Sequence, residues 1–274
     1  MVMTFHSVIE LFFQFNLILR SIPQLPRVGH LYLNTELTMT TSPTRPRWLT
    51  FDCYGTLIQW DEGLLDCVRD LLQRKGRTDL DVDRFIAVYD RHEHRLEQTP
   101  PHRSFAEISR LSMSLTLEEL GMPFEPEDGE RLIRRIGQMP PFPEVVATLQ
   151  WLKQQGFMLC IVSNTDDDII AGNVAQLGGC IDRVITAQQA QAYKPDHRLF
   201  LHAHAQLGIA IDEVLHICAS PHLDLEAAKG MGFRCVWIDR GTGRKPLPDY
   251  TPDATLPDLA NVPDYLRSQG WANE

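Results

Sequence analysis

Missing from the sequence is any apolar run long enough for a membrane. The most apolar stretch, Val8 to Leu19 (VIELFFQFNLIL), has 12 residues and carries Glu10, Gln14 and Asn16, whereas a spanning helix needs about 20 predominantly apolar residues. No Lys or Arg precedes it and no clear small-residue cleavage site follows, which excludes a secretory signal of the usual form. Positive charge is scarce as well: 26 Lys and Arg against 36 Asp and Glu leave a formal net charge of −10 and a pI near 5.5. Nucleic acids and anionic membrane surfaces both require a basic footprint, so neither is expected as a partner. The six cysteines, Cys53, Cys67, Cys160, Cys180, Cys218 and Cys235, form no CxxC pair and no zinc-type spacing. Most lie in apolar runs, and buried reduced thiols in a cytoplasmic protein account for them. Internal repeats and low-complexity segments are lacking too. What remains is ordinary: 43% hydrophobic and 23% charged residues, enough in a chain of 274 for one large domain or a core with a smaller companion.

The first residues stand apart in composition. Met39 opens MTTSPTRPRWLTF, a short polar leader running into an apolar segment. Residues 1–46 are therefore expected to be an extension outside the fold, with Met39 as the natural start; an amphipathic helix over Val8 to Leu19 is the competing expectation.

The stretch Trp48 to Trp60 (WLTFDCYGTLIQW) sets the organisation of the rest. An apolar strand ends on Asp52 and is followed by a tight turn, Cys53-Tyr54-Gly55-Thr56, which places a carboxylate at the lip of a sheet. From residue 63 to residue 140 the pattern is helical throughout, with Leu64, Leu65, Val68, Leu71 and Leu72 at helical spacing, and further helices around Phe85, from Phe105 to Leu120 and around Ile136. Pro140, Pro141 and Pro143 close this block. Beyond it, helix and strand alternate: FMLCIV over Phe157 to Val162, Arg183 to Thr186, EVLHIC over Glu213 to Cys218, and Arg234 to Ile238. Continuous apolar strands separated by helices predict an α/β fold with a Rossmann-like, doubly wound parallel sheet. Its core would comprise residues 47–62 and 141–274, with 63–140 inserted after the first strand. The proline-rich tail is expected to become weakly helical from Pro257 and to wrap the core.

In such a sheet the residues just past each strand converge on one edge. The first strand would deliver Asp52, Tyr54 and Thr56, the second Ser163 and Asn164, the third leads to Tyr193 and Lys194, and the fourth to Ser220 and, one helical turn further, Asp224. Taken singly, each has a bland role: Asp52 closes an Asx turn, Ser163 and Asn164 cap a helix, Thr56 steadies a turn, and Lys194 is solvated. Taken in order, they put a nucleophile-grade carboxylate, a hydroxyl-amide pair, a lysine and a second acid around one crevice.

This order resembles the haloacid dehalogenase superfamily, and Asp52-Cys53-Tyr54-Gly55-Thr56-Leu57, Ser163-Asn164, Tyr193-Lys194-Pro195-Asp196 and Trp237-Ile238-Asp239-Arg240 resemble its type II 2-haloacid dehalogenases. The resemblance covers roughly Arg47 to Arg240, and it implies that the helical insertion is the family's cap. It further implies that Asp52 attacks C2 of a short 2-haloalkanoic acid and forms an aspartyl ester. Lys194 would keep Asp52 ionised, and Asp224 would position the hydrolytic water. Tyr54, Thr56, Ser163, Asn164 and Ser220 would surround the substrate, and a cap arginine, Arg91 or else Arg95 or Arg103, would meet the halide. Tyr54 and Ser220 stand where phosphatases of the superfamily carry acids that protonate a leaving group or hold magnesium, so neither a metal nor another cofactor is expected. Two positions depart from the family: Pro221 where it has Asn, and Phe200 where it has Tyr. The alternatives are a magnesium-dependent phosphatase of the same fold and an inactive binding or regulatory relative. A homodimer is an expectation of the resemblance alone.

Overall fold

All four residues of β1 (Trp48–Phe51) are buried, so neither face of this strand meets water and it requires neighbours on both sides. In the computed structural model, which describes residues 44–273, β1 pairs in parallel with β2 (Met158–Ser163) and with β4 (Val214–Cys218), and Phe51 stands beside both Ile161 and Ile217. With β3 (Arg183–Thr186), β5 (Arg234–Ile238) and β6 (Ala254–Leu256), these strands form one parallel sheet of order β3-β2-β1-β4-β5-β6. The order reverses direction at β1, and a crevice opens beyond the carboxyl ends of strands at such a point. Asp52 directly follows β1 and lies there.

Apolar clusters cover both faces of the sheet. On one face Leu49, Phe51, Ile161 and Ile217 join residues of the inserted helices, among them Phe85, Ile108 and Leu132, in one cluster. On the other, Cys160, Val162 and Val214 pack against Leu199 and Phe200. All described residues belong to one unit, and the shared cluster shows why: the insertion does not have a core separate from the sheet.

Four helices make up the insertion: α1 (Trp60–Arg74), α2 (Val82–Glu97), α3 (Phe105–Glu119) and α4 (Pro126–Ile136). The first begins at Trp60, three residues before the expected boundary. Local signals fix the starts of the next two: the Asp81 side chain accepts from Asp83 N at the head of α2, and Ser104 with Glu107 closes a capping box on α3. The two connections to the sheet run side by side, with Gln59 N donating to Pro140 O and Phe142 N to Leu57 O. The remaining helices are α5 (Val145–Gln154), α6 (Asp167–Val174), α7 (Ala187–Ala190), α8 (His197–Leu207), α9 (Glu226–Met231) and α10 (Val262–Ser268). A single π-type turn, Pro221–Leu225, leads into α9. Among the described residues no helix is long and apolar enough to cross a membrane.

Three details differ from the sequence expectation. The edge strand β6 has only three residues, none of them fully buried, so no hydrophobic pattern announces it. The tail helix α10 starts at Val262, after a 3-10 turn over Leu259–Asn261. Arg45, placed outside the fold by the boundary at residue 46, is anchored to it: its guanidinium donates to Trp271 O and Gln155 O and lies 4.0 Å from the Phe157 ring centre. The expectations for Val8 to Leu19 and for Met39 lie outside the described residues.

Candidate active site

Asp52 leaves β1 at the base of a turn that only a flexible backbone can make. Gly55 has φ of +82°, a conformation that a Cβ disfavours, and Leu57 N and Ile58 N both close back on Cys53 O. The turn brings Thr56 under Asp52: its hydroxyl donates to Asp52 Oδ2 at 2.7 Å and accepts from Ala219 N at 2.8 Å. Arg240 braces the turn from outside, donating to the carbonyls of Gly55 and Thr56 and to Glu144, and stacking on Phe142 at 3.5 Å.

Lys194 is wholly buried, and its Nζ lies 2.9 Å from Asp52 Oδ1 and 2.7 Å from Asp224 Oδ1. Asp224 Oδ1 also accepts from His216 Nε2 at 2.9 Å, and His216 Nδ1 meets the Thr50 hydroxyl at 2.8 Å. A carboxylate only accepts, so His216 carries its proton on Nε2. The result is one buried polar chain, Thr50, His216, Asp224, Lys194, Asp52 and Thr56, running beneath the carboxyl edge of the sheet. Thr50 and His216 were not singled out in the sequence. Both are inward-facing strand residues within apolar runs, and only their pairing across adjacent strands, where Thr50 stands beside His216, reveals them.

The expectation that Lys194 holds Asp52 ionised is met only in part. Burial pushes the Asp52 carboxyl up, and although Lys194 and Thr56 pull it down, the nearby Asp224 charge pushes it up again; the balance lies above the ordinary aspartate value. For Asp224 the same burial is outweighed by the Lys194 charge and by His216, and its carboxyl lies below the ordinary value. One cation thus serves two acids and favours the deeper one. Burial and the Asp52 charge push the neighbouring Cys53 thiol well up, which leaves it inert.

Above Asp52 lies a cavity of about 250 Å³ between the sheet edge and α2. Asp52, Tyr54, Ser163, Asn164 and Ser220 all line it, as the sequence expectation has them. The Ser163 hydroxyl is buried without a hydrogen-bond partner. Asn164 accepts from Lys194 N at 2.8 Å and turns its amide toward Glu97 at 3.4 Å. It is not the cap of α6; that position is Asp166, whose carboxylate instead accepts from Phe105 N and Ala106 N at the head of α3.

Other expected contacts fall elsewhere. Thr56 and Lys194 lie below the cavity floor, so Thr56 orients Asp52 rather than touching substrate. The Tyr54 ring borders the cavity, but its hydroxyl donates to Asn173 Oδ1 at 3.0 Å. Asp224 does not line the cavity, and its second oxygen, Oδ2, has no partner among the described residues. Arg91 is a correction: it is exposed on the outer side of α2 and paired with Glu119 at 2.6 Å, because position 91 faces away from the sheet. Arg95 and Arg103 do not line the cavity either. Its guanidinium is Arg244, from the segment after β5, held by Asp61 through two contacts of 2.9 and 2.8 Å. No motif in the chain points to it.

The residues present do not fit a magnesium ion. Ser220 stands where an acid would hold it, Tyr54 stands where the leaving group's acid would be, and Asp224 Oδ1 is already engaged by Lys194 and His216. His216, Cys218 and Asp224 bring ligand-type atoms within 4.8 Å of one another. Both ring nitrogens of His216 are already hydrogen-bonded, however, so this group has no imidazole lone pair to offer.

A parallel sheet that reverses order at a strand ending on a buried, lysine-held aspartate, with that aspartate facing a cavity, is an arrangement suited to a hydrolase. The chain belongs to the haloacid dehalogenase-like hydrolases, whose family model matches residues 46–232. It is 28% identical over 217 residues to haloacetate dehalogenase H-2 of Moraxella sp. (strain B), a match covering 76% of this chain and 92% of that protein. It is 31% identical over 138 residues to the phosphoserine phosphatase of Thermus thermophilus, covering 50% of this chain and 55% of that one. The crystal structure of the L-2-haloacid dehalogenase of Xanthobacter autotrophicus with chloropropionic acid covalently bound superposes with a TM-score of 0.68 at 19% identity, covering 81% of this chain and 98% of that one. At that identity the superposition speaks for the fold.

Proposed function

We propose that the protein hydrolyses the carbon-halogen bond of a short 2-halogenated carboxylic acid, without a metal, through an ester on Asp52. The observation that carries this reading is the setting of Asp52: it faces the cavity with Lys194 and Thr56 behind it, while Tyr54 and Ser220 occupy the places where phosphatase chemistry needs acids. A halide leaves without a proton, so the acid that Tyr54 replaces is not required.

In the first half-reaction an Asp52 oxygen displaces halide at C2. In the second, water attacks the carboxyl carbon of Asp52, the ester bond breaks, and the hydroxy acid leaves with its new oxygen taken from Asp52. The Ser163 hydroxyl is the donor left for the substrate carboxylate. Arg244 and Asn164 are the donors at the cavity for the departing halide. Asp224 Oδ2 is the acceptor of the buried chain that no described donor occupies, and it is the base assigned to the hydrolytic water, which must enter beneath the cavity floor to reach it. The inserted helices act as the cap that closes the cavity over the substrate.

Halide release from L-2-chloropropionate with EDTA present, beside p-nitrophenyl phosphate turnover with and without magnesium, tests the reading. Halide release that survives EDTA and disappears in Asp52→Asn is expected. Magnesium-dependent phosphate release in its place overturns it in favour of the phosphatase alternative. In Asp224→Asn one equivalent of halide should still be released per enzyme while steady turnover is lost.

A further inference from the structure

Asp90, Glu93 and Glu97 occupy positions i, i+3 and i+7 of α2 and therefore share one face of that helix. All three line the cavity that holds Asp52. The cations within reach are largely committed: Lys194 lies under the floor between two carboxylates, and Arg244 is held by Asp61. Lys245 stands on the exposed rim. Of the histidines, His222 and His94 are both exposed. Among the described residues the hydrogen-bond partners of the Glu93 and Glu97 carboxyls are the Tyr89 hydroxyl at 2.9 Å and the Asn164 amide at 3.4 and 3.5 Å, neither of them a cation. Opposite them the buried, unpartnered Ser163 hydroxyl lines the same cavity, so a ligand is still needed to complete the site.

Burial first, then the charge of a neighbouring acid, pushes the Glu93 and Glu97 carboxyls up, so both hold protons until a cation faces them. A compound with an ammonium group lets them ionise, and its three N–H donors suit clustered carboxylates. We propose that the acidic face of α2 selects substrates carrying a primary ammonium group, so that the compound hydrolysed is a small amino-substituted halo acid. This rests on the dehalogenation reading for the reaction but not for the binding preference.

Two ligands without halogen, 4-aminobutanoate and butanoate, separate these claims when titrated calorimetrically into the full chain. The wild type should bind 4-aminobutanoate at least about tenfold more tightly, a gap of roughly one decade in Kd. Glu93→Gln/Glu97→Gln should close that gap by weakening the amine while leaving butanoate unchanged. Glu97→Gln alone, at a half-buried position, should narrow it if the double variant does not fold. Halide release from 2-chloro-4-aminobutanoate should exceed that from 2-chlorobutanoate in the same order. Butanoate binding as tightly as the amine, no binding of either, or a gap that survives both variants overturns the inference. An amine preference without halide release from either chloro acid upholds the inference and overturns the dehalogenation reading.

Discussion

Lys194 illustrates how a residue takes its meaning from its neighbours. It is a fully buried cation with two anionic partners, and burial, which alone would lower its pKa, is outweighed by Asp224 and Asp52, so that it stays protonated. Asp52 is left with the smaller share of that charge, and its carboxyl lies above the ordinary range. The nucleophile must be ionised, so activity should rise with pH along an acid limb lying above the ordinary aspartate value. Replacing Asp224 by Asn removes a repelling charge and leaves Lys194 to Asp52 alone. The rate of halide release in a single turnover, measured against pH, should then show that limb at lower pH; an unmoved limb would show that a different group titrates. Glu93 provides a stability counterpart. Burial first, then the Asp90 charge, push its carboxyl up to about 8. The folded protein thus keeps a proton that the unfolded chain releases near pH 4.5, and stability falls as pH rises between those values, by roughly 1 kcal/mol per pH unit for this group. Glu93→Gln retains an acceptor for Tyr89 and removes this slope. Its urea midpoint should match the wild type at pH 4.5 and exceed it clearly at pH 8; equal midpoints at both pH values would contradict the burial of a neutral Glu93.

At the level of elements, the insertion is tied to the sheet at the end of α4 and along α6. Asn173 donates to the carbonyls of Ile136 and Met139 and accepts from Tyr54, so the strand-end motif and the insertion meet on one side chain. Asp166 carries the other tie, to the head of α3. Between them the backbones of α4 and α6 come close enough that a Cβ on Gly172 would run into the carbonyl of Gly137. The obstacle is backbone and cannot rotate away. Gly172→Ala should therefore push α4 off α6, costing about 1–3 kcal/mol and weakening substrate binding through the displaced α2. Thermal unfolding together with KM for the chloro acid checks this, and an unchanged KM with lowered stability would separate packing from cavity shape. Neither glycine stands out in the sequence, since each lies in an ordinary helical pattern and only the approach of two distant elements restricts it.

For the whole molecule, both apolar clusters are built from residues between 44 and 273, and among the described residues Arg45 is the first whose side chain is anchored. A chain beginning at Met39 should fold with the same urea midpoint and release halide at the same rate as the full chain. A loss of either would place a needed contribution in residues 1–38. The net charge of −10 acts at this scale as well. A substrate anion approaches an acidic protein, so halide release from 2-chloropropionate should speed up as salt screens that repulsion, in the sense opposite to an enzyme with a basic funnel.

The doubly wound sheet is legible in the chain, because continuous apolar strands separated by helices leave few other solutions, and so are the places of Asp52, Ser163, Asn164, Lys194, Ser220 and Asp224, because strand ends in such a sheet converge whatever lies between them. What those residues do to one another depends on packing. Sharing of Lys194 between two acids, the support of Asp224 by His216 and Thr50, the turning of Arg91 away from the cavity and the entry of Arg244 from the tail are all long-range events. So is the gathering of Asp90, Glu93 and Glu97 against the nucleophile. Helical periodicity says that those three share a face, and the placement of α2 over the sheet edge decides that the face looks into the site. Burial depth and charge separation set the protonation of Asp52, Asp224, Lys194 and Glu93, and both are properties of the packed molecule rather than of any segment of its chain.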